Sequence, residues 1–161
     1  MKSSLFMETT QISATKTAGE ITQLLVEAGA RQISLDYDDQ RKLCGLRFVL
    51  IIGKMPLPFR LPARSKGVFE AIWKRGYDAA KFKHNFDTND RRQSLSIHAE
   101  RVVWRQLLRW TEAQLAMIQT GMAEAQEVFL PYMQRPDGKT VYELFSETQF
   151  KAIGPASNVG H

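Results

Sequence analysis

The sequence lacks features that several protein classes require: cysteine pairs, long apolar runs and an apolar N-terminal stretch. It contains a single cysteine, Cys44, which excludes an intrachain disulfide and favours a reducing compartment. The longest apolar run, residues 48–52, is far shorter than the roughly 20 residues of a membrane-spanning helix. The first residues hold no sustained apolar stretch, so no signal peptide is expected. The sequence therefore predicts a cytoplasmic protein without a membrane partner.

Motifs of common enzymes are also missing. The chain has no phosphate-cradling GxxxxGK[ST], and no GxGxxG, GxSxG or HExxH. Cys44 is predicted to be a small core filler, and His84 and His98 lack metal-ligand spacing. The aspartates of residues 36–39 are typical of a hairpin turn. No catalytic residue, metal or cofactor is assigned, although scattered residues could still form a small enzyme's site.

Charge is unevenly distributed along the 161 residues. Residues 1–40 carry three basic and six acidic side chains, and residues 110–161 repeat those numbers. Residues 41–109 carry 16 basic and five acidic side chains. A basic block of this kind favours a surface that faces a polyanion. The alternative is that the acidic ends fold back and neutralise the block.

Periodicity predicts a single α+β domain with an α-β-β-β-α core. The first helix is expected from Thr17, with Glu20 at capping-box spacing, to a stop at Gly29. Strands are expected at residues 31–37, 43–52 and 56–62, in an antiparallel meander. The continuously apolar second strand should be central and covered on both faces, whereas the prolines place the third strand at an edge. Residues 1–12 and 155–161 are expected to be loosely ordered.

Helices dominate the second half of the sequence. The patterns predict a helix over residues 65–81, a flexible loop over 84–95, a long helix over 96–130 and a short helix from Thr140 to residue 153. The long helix carries two adjacent apolar stripes, which predict a homo-oligomer unless the last helix covers them. The expected interface residues are Trp104, Leu108, Trp110, Leu115 and Ile118.

Basic side chains in the central block are the candidate binding residues. Arrays of Lys and Arg hold backbone phosphates, and aromatic rings between them stack on unpaired bases. Arg60 should point outward, because it alternates with the apolar residues of the third strand. The predicted nucleic-acid contacts are Arg60, Arg64, Lys66, Lys74, Arg75, Lys81, Lys83, Arg91, Arg92, Arg101 and Arg105, with Phe82 and Phe86 as stacking rings.

Four segments of the chain have a familiar pattern: ERVVWRQLLRWTEAQLAMIQTGMAEAQEVFLPYM with the following DGKT, ISATKTAGEITQLLVEAGA, SLDYDD and LPFRLPAR. Together these segments resemble a group of small uncharacterised proteins of bacteriophages and prophages. The resemblance implies an accessory protein of a mobile element that acts inside a bacterial host cell. It assigns no role to any individual residue.

Two functions are expected from these features. The first is a non-enzymatic protein that binds nucleic acid with weak sequence preference, for example single-stranded DNA in replication or recombination. The second is an adaptor or inhibitor that contacts a host or phage protein through the long helix. Neither reading distinguishes DNA from RNA.

Overall fold

The computed structural model describes residues 4–76 and 88–151, in which one helix precedes a three-stranded sheet and further helices follow it. The elements are α1 (Ala14–Glu27), β1 (Arg31–Tyr37), β2 (Leu43–Ile52), β3 (Met55–Pro62), α2 (Lys66–Lys74), α3 (Thr88–Gln119), α4 (Ala125–Phe129), a 3-10 turn (Leu130–Tyr132) and α5 (Val141–Glu147). This order confirms the predicted α+β class and the three-stranded antiparallel sheet.

Helix α1 begins before the predicted start at Thr17. The Ser13 side chain accepts a hydrogen bond from the Lys16 N–H at 3.2 Å and caps the helix. Thr17 is buried inside the first turns, so its capping-box spacing with Glu20 was misleading. The predicted stop is confirmed, since Gly29 adopts a φ of 91° directly after the helix.

The strands form one antiparallel sheet in the order β1-β2-β3, with β2 in the middle as predicted. The register pairs Arg47 of β2 with Ser34 of β1 and with Arg60 of β3. Directly paired residues share a face, because side chains alternate between faces along each strand. Arg60 therefore lies on the face opposite to the buried Phe59, which confirms its outward position.

The prolines of β3 fall where a missing N–H costs no bond to β2. Pro56, Pro58 and Pro62 alternate along the strand, and the Pro58 carbonyl accepts from the Gln134 N–H at 2.8 Å, away from β2. Because the N–H and C=O of one residue point to the same side of a strand, these prolines face the outer edge. Along that edge the described residues add one isolated bridge, to Met133, so β3 has a single full partner.

Among residues 4–76 and 88–151, helices cover one face of the sheet. In β2, Leu46, Phe48 and Leu50 are buried in the core with residues of α1 and α3. Arg47 and Ile51 lie on the other face, where Ile51 is 52% exposed. The prediction that β2 is covered on both faces is therefore wrong. Its apolar run suggested burial throughout, but alternation carries every second residue to an open surface.

Aromatic side chains fill the space between the sheet and the helices. The rings of Phe48 and Phe59 stack at 5.3 Å, and Phe129 meets Phe48 edge-on at 5.5 Å. Trp104 of α3 is fully buried, and its Nε1 donates a hydrogen bond to the Leu43 carbonyl at 3.1 Å. This hydrogen bond fixes the position of the long helix relative to the start of β2.

The long helix α3 begins earlier than the sequence predicted. Residues 88–95, which are the described part of the predicted loop 84–95, are helical. Their polar side chains suggested a loop, but Leu95 is fully buried and anchors this part of the helix. Residues 84–87 lie outside the described residues.

The same helix also ends earlier, so the predicted helix over residues 96–130 is two helices. Gly121 has a φ of 72°, which ends α3 in a left-handed turn. A capping box between Glu124 and Glu127 then starts α4. The apolar spacing continues across this break, because α3 and α4 pack on the same core, and it therefore concealed the break.

Helices α2 and α5 end before the predicted residues, and residues 77–81 of the predicted α2 lie outside the described residues. Gly76, with a φ of 74°, follows α2 shortly after its last residue, Lys74. Helix α5 begins at the predicted Thr140 cap, whose side chain accepts from the Glu143 N–H at 3.2 Å, and ends at Glu147. The capping box at Thr140 is confirmed, whereas the end near residue 153 is not.

The apolar stripes of α3 are covered inside one chain. Trp104 and Leu108 are buried in the core, so their assignment to an oligomer interface is wrong. The Trp110 ring packs edge-on against Phe129 at 5.8 Å and against Tyr132 at 5.4 Å. Residues of α4 and the 3-10 turn, which follow α3, thus cover this part of the helix. The other interface candidates are half-buried against the core: Leu115 and Ile118.

Candidate functional site

The predicted basic residues do not form one surface. Lys81, Phe82, Lys83 and Phe86 lie outside the described residues. The others are divided among the contact between α1 and α3, the neighbourhood of α2, and the open face of the sheet. Their surroundings decide which of them can meet a ligand.

Arg105 of α3 connects this helix to α1. Its Nη1 donates to the Glu20 carboxylate of α1 and lies 3.5 Å from the Thr17 hydroxyl, while the side chain is 7% exposed. The assignment of Arg105 to a nucleic-acid surface is wrong. A side chain that is enclosed between two helices cannot reach a phosphate in solvent.

Near α2, one predicted cation is paired and another is stacked. Arg75 donates to the Glu8 carboxylate at 2.5 Å, which attaches the expected loose lead-in to the helices. The Arg92 guanidinium lies 5.3 Å from the centre of the Trp73 ring, a cation–π distance. Lys74 is exposed beside them.

Three further predicted residues have no carboxylate within 4 Å among the described residues: Lys66, Arg91 and Arg101. Lys66 and Arg91 are exposed, at the starts of α2 and α3, whereas Arg101 is half-buried. Lys66 is on α2, whereas Arg91 and Arg101 are both on α3, ten residues apart, and none of the three lines the cleft described below.

The acidic ends of the sequence neutralise part of the basic block. Glu8, Glu20 and Asp36, all from the first 40 residues, pair with arginines of the block. Glu112, from the last segment, pairs with Arg109. The fold-back alternative is therefore partly realised, and the block's net charge overstates the charge available for a polyanion.

The open face of the sheet carries a triad of one carboxylate and two arginines. The Asp36 Oδ2 accepts from the Arg47 Nε at 2.9 Å and from the Arg60 Nε at 3.3 Å. Asp36 comes from β1, Arg47 from β2 and Arg60 from β3, so the triad spans all three strands. Beside the triad, Gly45 allows the close approach of β3, because an added Cβ would lie 3.1 Å from the Leu61 carbonyl.

A cleft of about 330 Å³ adjoins this triad, between the end of β3 and the segment around α5. Arg60 and Arg64 line it together with Tyr132 and Tyr142. The Arg64 guanidinium lies 5.9 Å from the centre of the Tyr142 ring, which is itself 45% exposed. The cleft thus offers positive charge and an accessible aromatic ring in one place.

Glu143 adds a carboxylate to the same cleft. Its Oε2 accepts from the Thr140 N–H at 2.7 Å, and this hydrogen bond, helped by Arg60 and Arg64, lowers the pKa of Glu143. The carboxylate is therefore charged at neutral pH and committed to the start of α5. It caps the helix that carries Tyr142.

Cys44 also borders the cleft, half-buried instead of fully inside the core. Its Sγ donates to the Asp36 carbonyl at 3.4 Å. Burial raises the pKa of the thiol, and the nearby Asp36 and Asp38 carboxylates act in the same direction. The thiol is protonated at neutral pH, so its surroundings do not activate it as a nucleophile.

Sequence reasoning missed several residues of this site. Arg47 and Asp36 could have been found by aligning the strands as an antiparallel meander, since cross-strand neighbours share a face. Tyr132 and Tyr142 carried no such signal. They reach the cleft because the chain after α4 returns to the outer edge of β3.

Comparison of the chain with protein-family models, with curated proteins and with solved structures gave no match. In the described ranges, no helix has the length and hydropathy of a membrane span. The same ranges contain no group of three or more His, Cys, Asp or Glu side chains arranged around a metal position. Asp38 makes the predicted turn, since its Oδ1 accepts from the Gln40 and Lys42 N–H groups, each at 2.9 Å, whereas Asp36 lies in β1 instead of the turn.

Proposed function

We propose that this protein binds single-stranded nucleic acid, with weak sequence preference, through the cleft at the end of β3. The observation that carries the proposal is the convergence of Arg60 and Arg64 with the exposed ring of Tyr142. Guanidinium groups bind phosphate oxygens, and aromatic rings stack on unpaired bases of any sequence.

The geometry favours a single strand over a duplex. A stacking ring needs a base whose face is free, which a paired and stacked duplex does not provide. The cleft volume of about 330 Å³ lies at the lower end of the range for small-ligand sites, which suits one nucleotide rather than a helix. Combined with the resemblance to phage and prophage proteins, this supports an accessory role on single-stranded DNA or RNA in a bacterial host.

Affinity is expected to be modest and strongly dependent on salt. Several arginines of the basic block are paired internally, which reduces the charge available for phosphates. Each neutralised phosphate releases condensed counterions and steepens the dependence of the binding constant on salt. Binding should therefore be clearest at about 50 mM salt.

The test is fluorescence anisotropy with a labelled oligothymidylate of about 20 nucleotides, long enough for one site, over a salt series. Arg64→Ala should weaken binding and make the log–log salt slope shallower by about one unit. Tyr142→Ala should weaken binding at least about five-fold, because a stacked base contributes about 1–3 kcal/mol. Neither substitution removes a buried side chain.

Arg109→Ala is the matched control. It removes the same charge from an exposed arginine of α3 that lies outside the cleft. It should change affinity less than either cleft variant. Absence of binding to single- and double-stranded DNA and RNA at about 50 mM salt would contradict the proposal and leave a protein partner as the alternative.

A further inference from the structure

Two arginines on the open sheet face converge on one carboxylate oxygen. Arg47 and Arg60 are directly opposite each other in the register of β2 and β3, and both Nε atoms donate to Asp36 Oδ2. The arginine side chains are 47% and 34% exposed, whereas Asp36 is 13% exposed. The triad therefore presents two accessible guanidinium groups around a partly enclosed anion.

The charge of this triad is incompletely balanced. One carboxylate faces two guanidinium groups, so the group retains a net positive charge among its own members. Arginine forks bind carboxylate and phosphate oxygens with the same planar geometry. A phosphate oxygen would fit the position that Asp36 Oδ2 occupies.

Arg60 connects this triad to the cleft. It lines the cleft beside Arg64 and also donates to Asp36. A strand that places a nucleotide at Tyr142 would thus bring a neighbouring phosphate toward Arg60 and Arg47. The cations Arg64, Arg60 and Arg47 form a track across the open face.

We infer that the Arg47–Asp36–Arg60 triad is a second phosphate site, for a phosphodiester of the same strand, in which Asp36 competes with the phosphate. The inference rests on the proposed function and adds the ligand class and the competing residue. Asp36 lowers the affinity of the open face for any polyanion until a phosphate displaces it from the arginines.

The experiment compares the wild-type protein with Asp36→Asn, using the labelled oligothymidylate of about 20 nucleotides. Asparagine keeps the shape and a side-chain oxygen but removes the competing charge. We expect about ten-fold tighter binding at about 50 mM salt and a log–log salt slope steeper by up to about one unit.

Glu112→Gln is the matched control, because it also removes a carboxylate from a pair with an exposed arginine. That pair lies on α3, outside the triad and the cleft. This control measures the general effect of removing one negative charge from the protein, and we expect less than about two-fold tighter binding at the same salt.

Arg47→Ala supplies a second, independent variant. In the wild-type background it should weaken binding, and in the Asp36→Asn background it should remove most of the gain. A purely structural role of the triad predicts no effect of Arg47→Ala on affinity. Circular dichroism and thermal unfolding show whether each variant folds; if Asp36→Asn does not fold, Arg47→Ala decides, and if Arg47→Ala does not fold, Asp36→Asn decides.

The outcomes separate this inference from the proposed function. If the wild-type protein binds but Asp36→Asn gains no more than Glu112→Gln, the triad site is overturned and the cleft function stands. If only Asp36→Asn binds, the triad site is supported and the cleft function fails. If neither protein binds, both are overturned.

Discussion

The two faces of the sheet, which are formed by the same three strands, differ in burial and in charge. Along β2, Leu46, Phe48 and Leu50 are buried against helices, while Arg47 and Ile51 face solvent. The covered face is apolar and aromatic, whereas the open face carries the charged triad. A strand that looks uniformly apolar can therefore supply both the core and a polar surface.

The surroundings of an arginine determine whether it stabilises the fold or can bind a ligand. Arg105 is enclosed between α1 and α3 and pairs with Glu20, so it stabilises the layer that covers the sheet. Arg60 lies on the open face and shares Asp36 with Arg47. The first holds helices together, whereas the second can exchange partners with a ligand.

The largest expected difference between the faces is in stability. Phe48→Ala removes a buried ring from the aromatic cluster and should lower the free energy of unfolding by about 3–5 kcal/mol. Ile51→Thr, three residues along on the open face, should change it by less than about 0.5 kcal/mol. Urea unfolding of both variants measures the contrast, and similar losses would show that the second face is also covered.

A smaller loss of stability is expected when the ion pair between α1 and α3 is broken. Glu20→Gln leaves Arg105 enclosed without a charged partner, which should lower the free energy of unfolding by about 1–3 kcal/mol. The exposed pair of Arg109 and Glu112 provides the comparison, since Glu112→Gln should cost about 0–1 kcal/mol. Equal effects in thermal unfolding would contradict the structural role of Arg105.

The segment beside the open face should be sensitive to its helix cap. Thr140→Ala removes the hydroxyl that accepts from the Glu143 N–H, at a cost of about 1 kcal/mol. Thr140→Ser keeps the hydroxyl and should be close to wild type. Because α5 carries Tyr142, the alanine variant should also weaken oligonucleotide binding, and unchanged affinity would separate the cap from the cleft.

The smallest expected effect is a dependence of stability on pH. The pKa of Glu143 is lowered by the hydrogen bond from the Thr140 backbone, so the folded state binds its proton less readily than the unfolded state. This contribution is present above the ordinary pKa of about 4.3 and is lost as pH falls through the lowered pKa. Glu143→Gln should flatten that part of the stability profile, and a profile identical to wild type would refute the assignment.

The local parts of the fold were predictable because their signals are local. The capping box of Thr140 and Glu143 forms between neighbouring residues, and the apolar run that indicates the strand Leu43–Ile52 lies within one segment. The break at Gly121 was missed because α3 and α4 share a core, which keeps the apolar spacing continuous across the turn. The burial of Arg105 could not be predicted, because its partners in α1 are distant in the sequence.

Sequence alone determined the α+β class, the position of the proline-free strand at the centre of the sheet and the outward direction of Arg60. These follow from side-chain alternation and from the missing N–H of proline, which act within one strand. Which cations are neutralised and which line a cleft depends on how distant segments pack together. Asp36, Arg47 and Arg60 meet through strand register, and Tyr142 joins them because the chain returns to the edge of β3. Such contacts depend on where distant segments pack, which no local pattern of residues specifies.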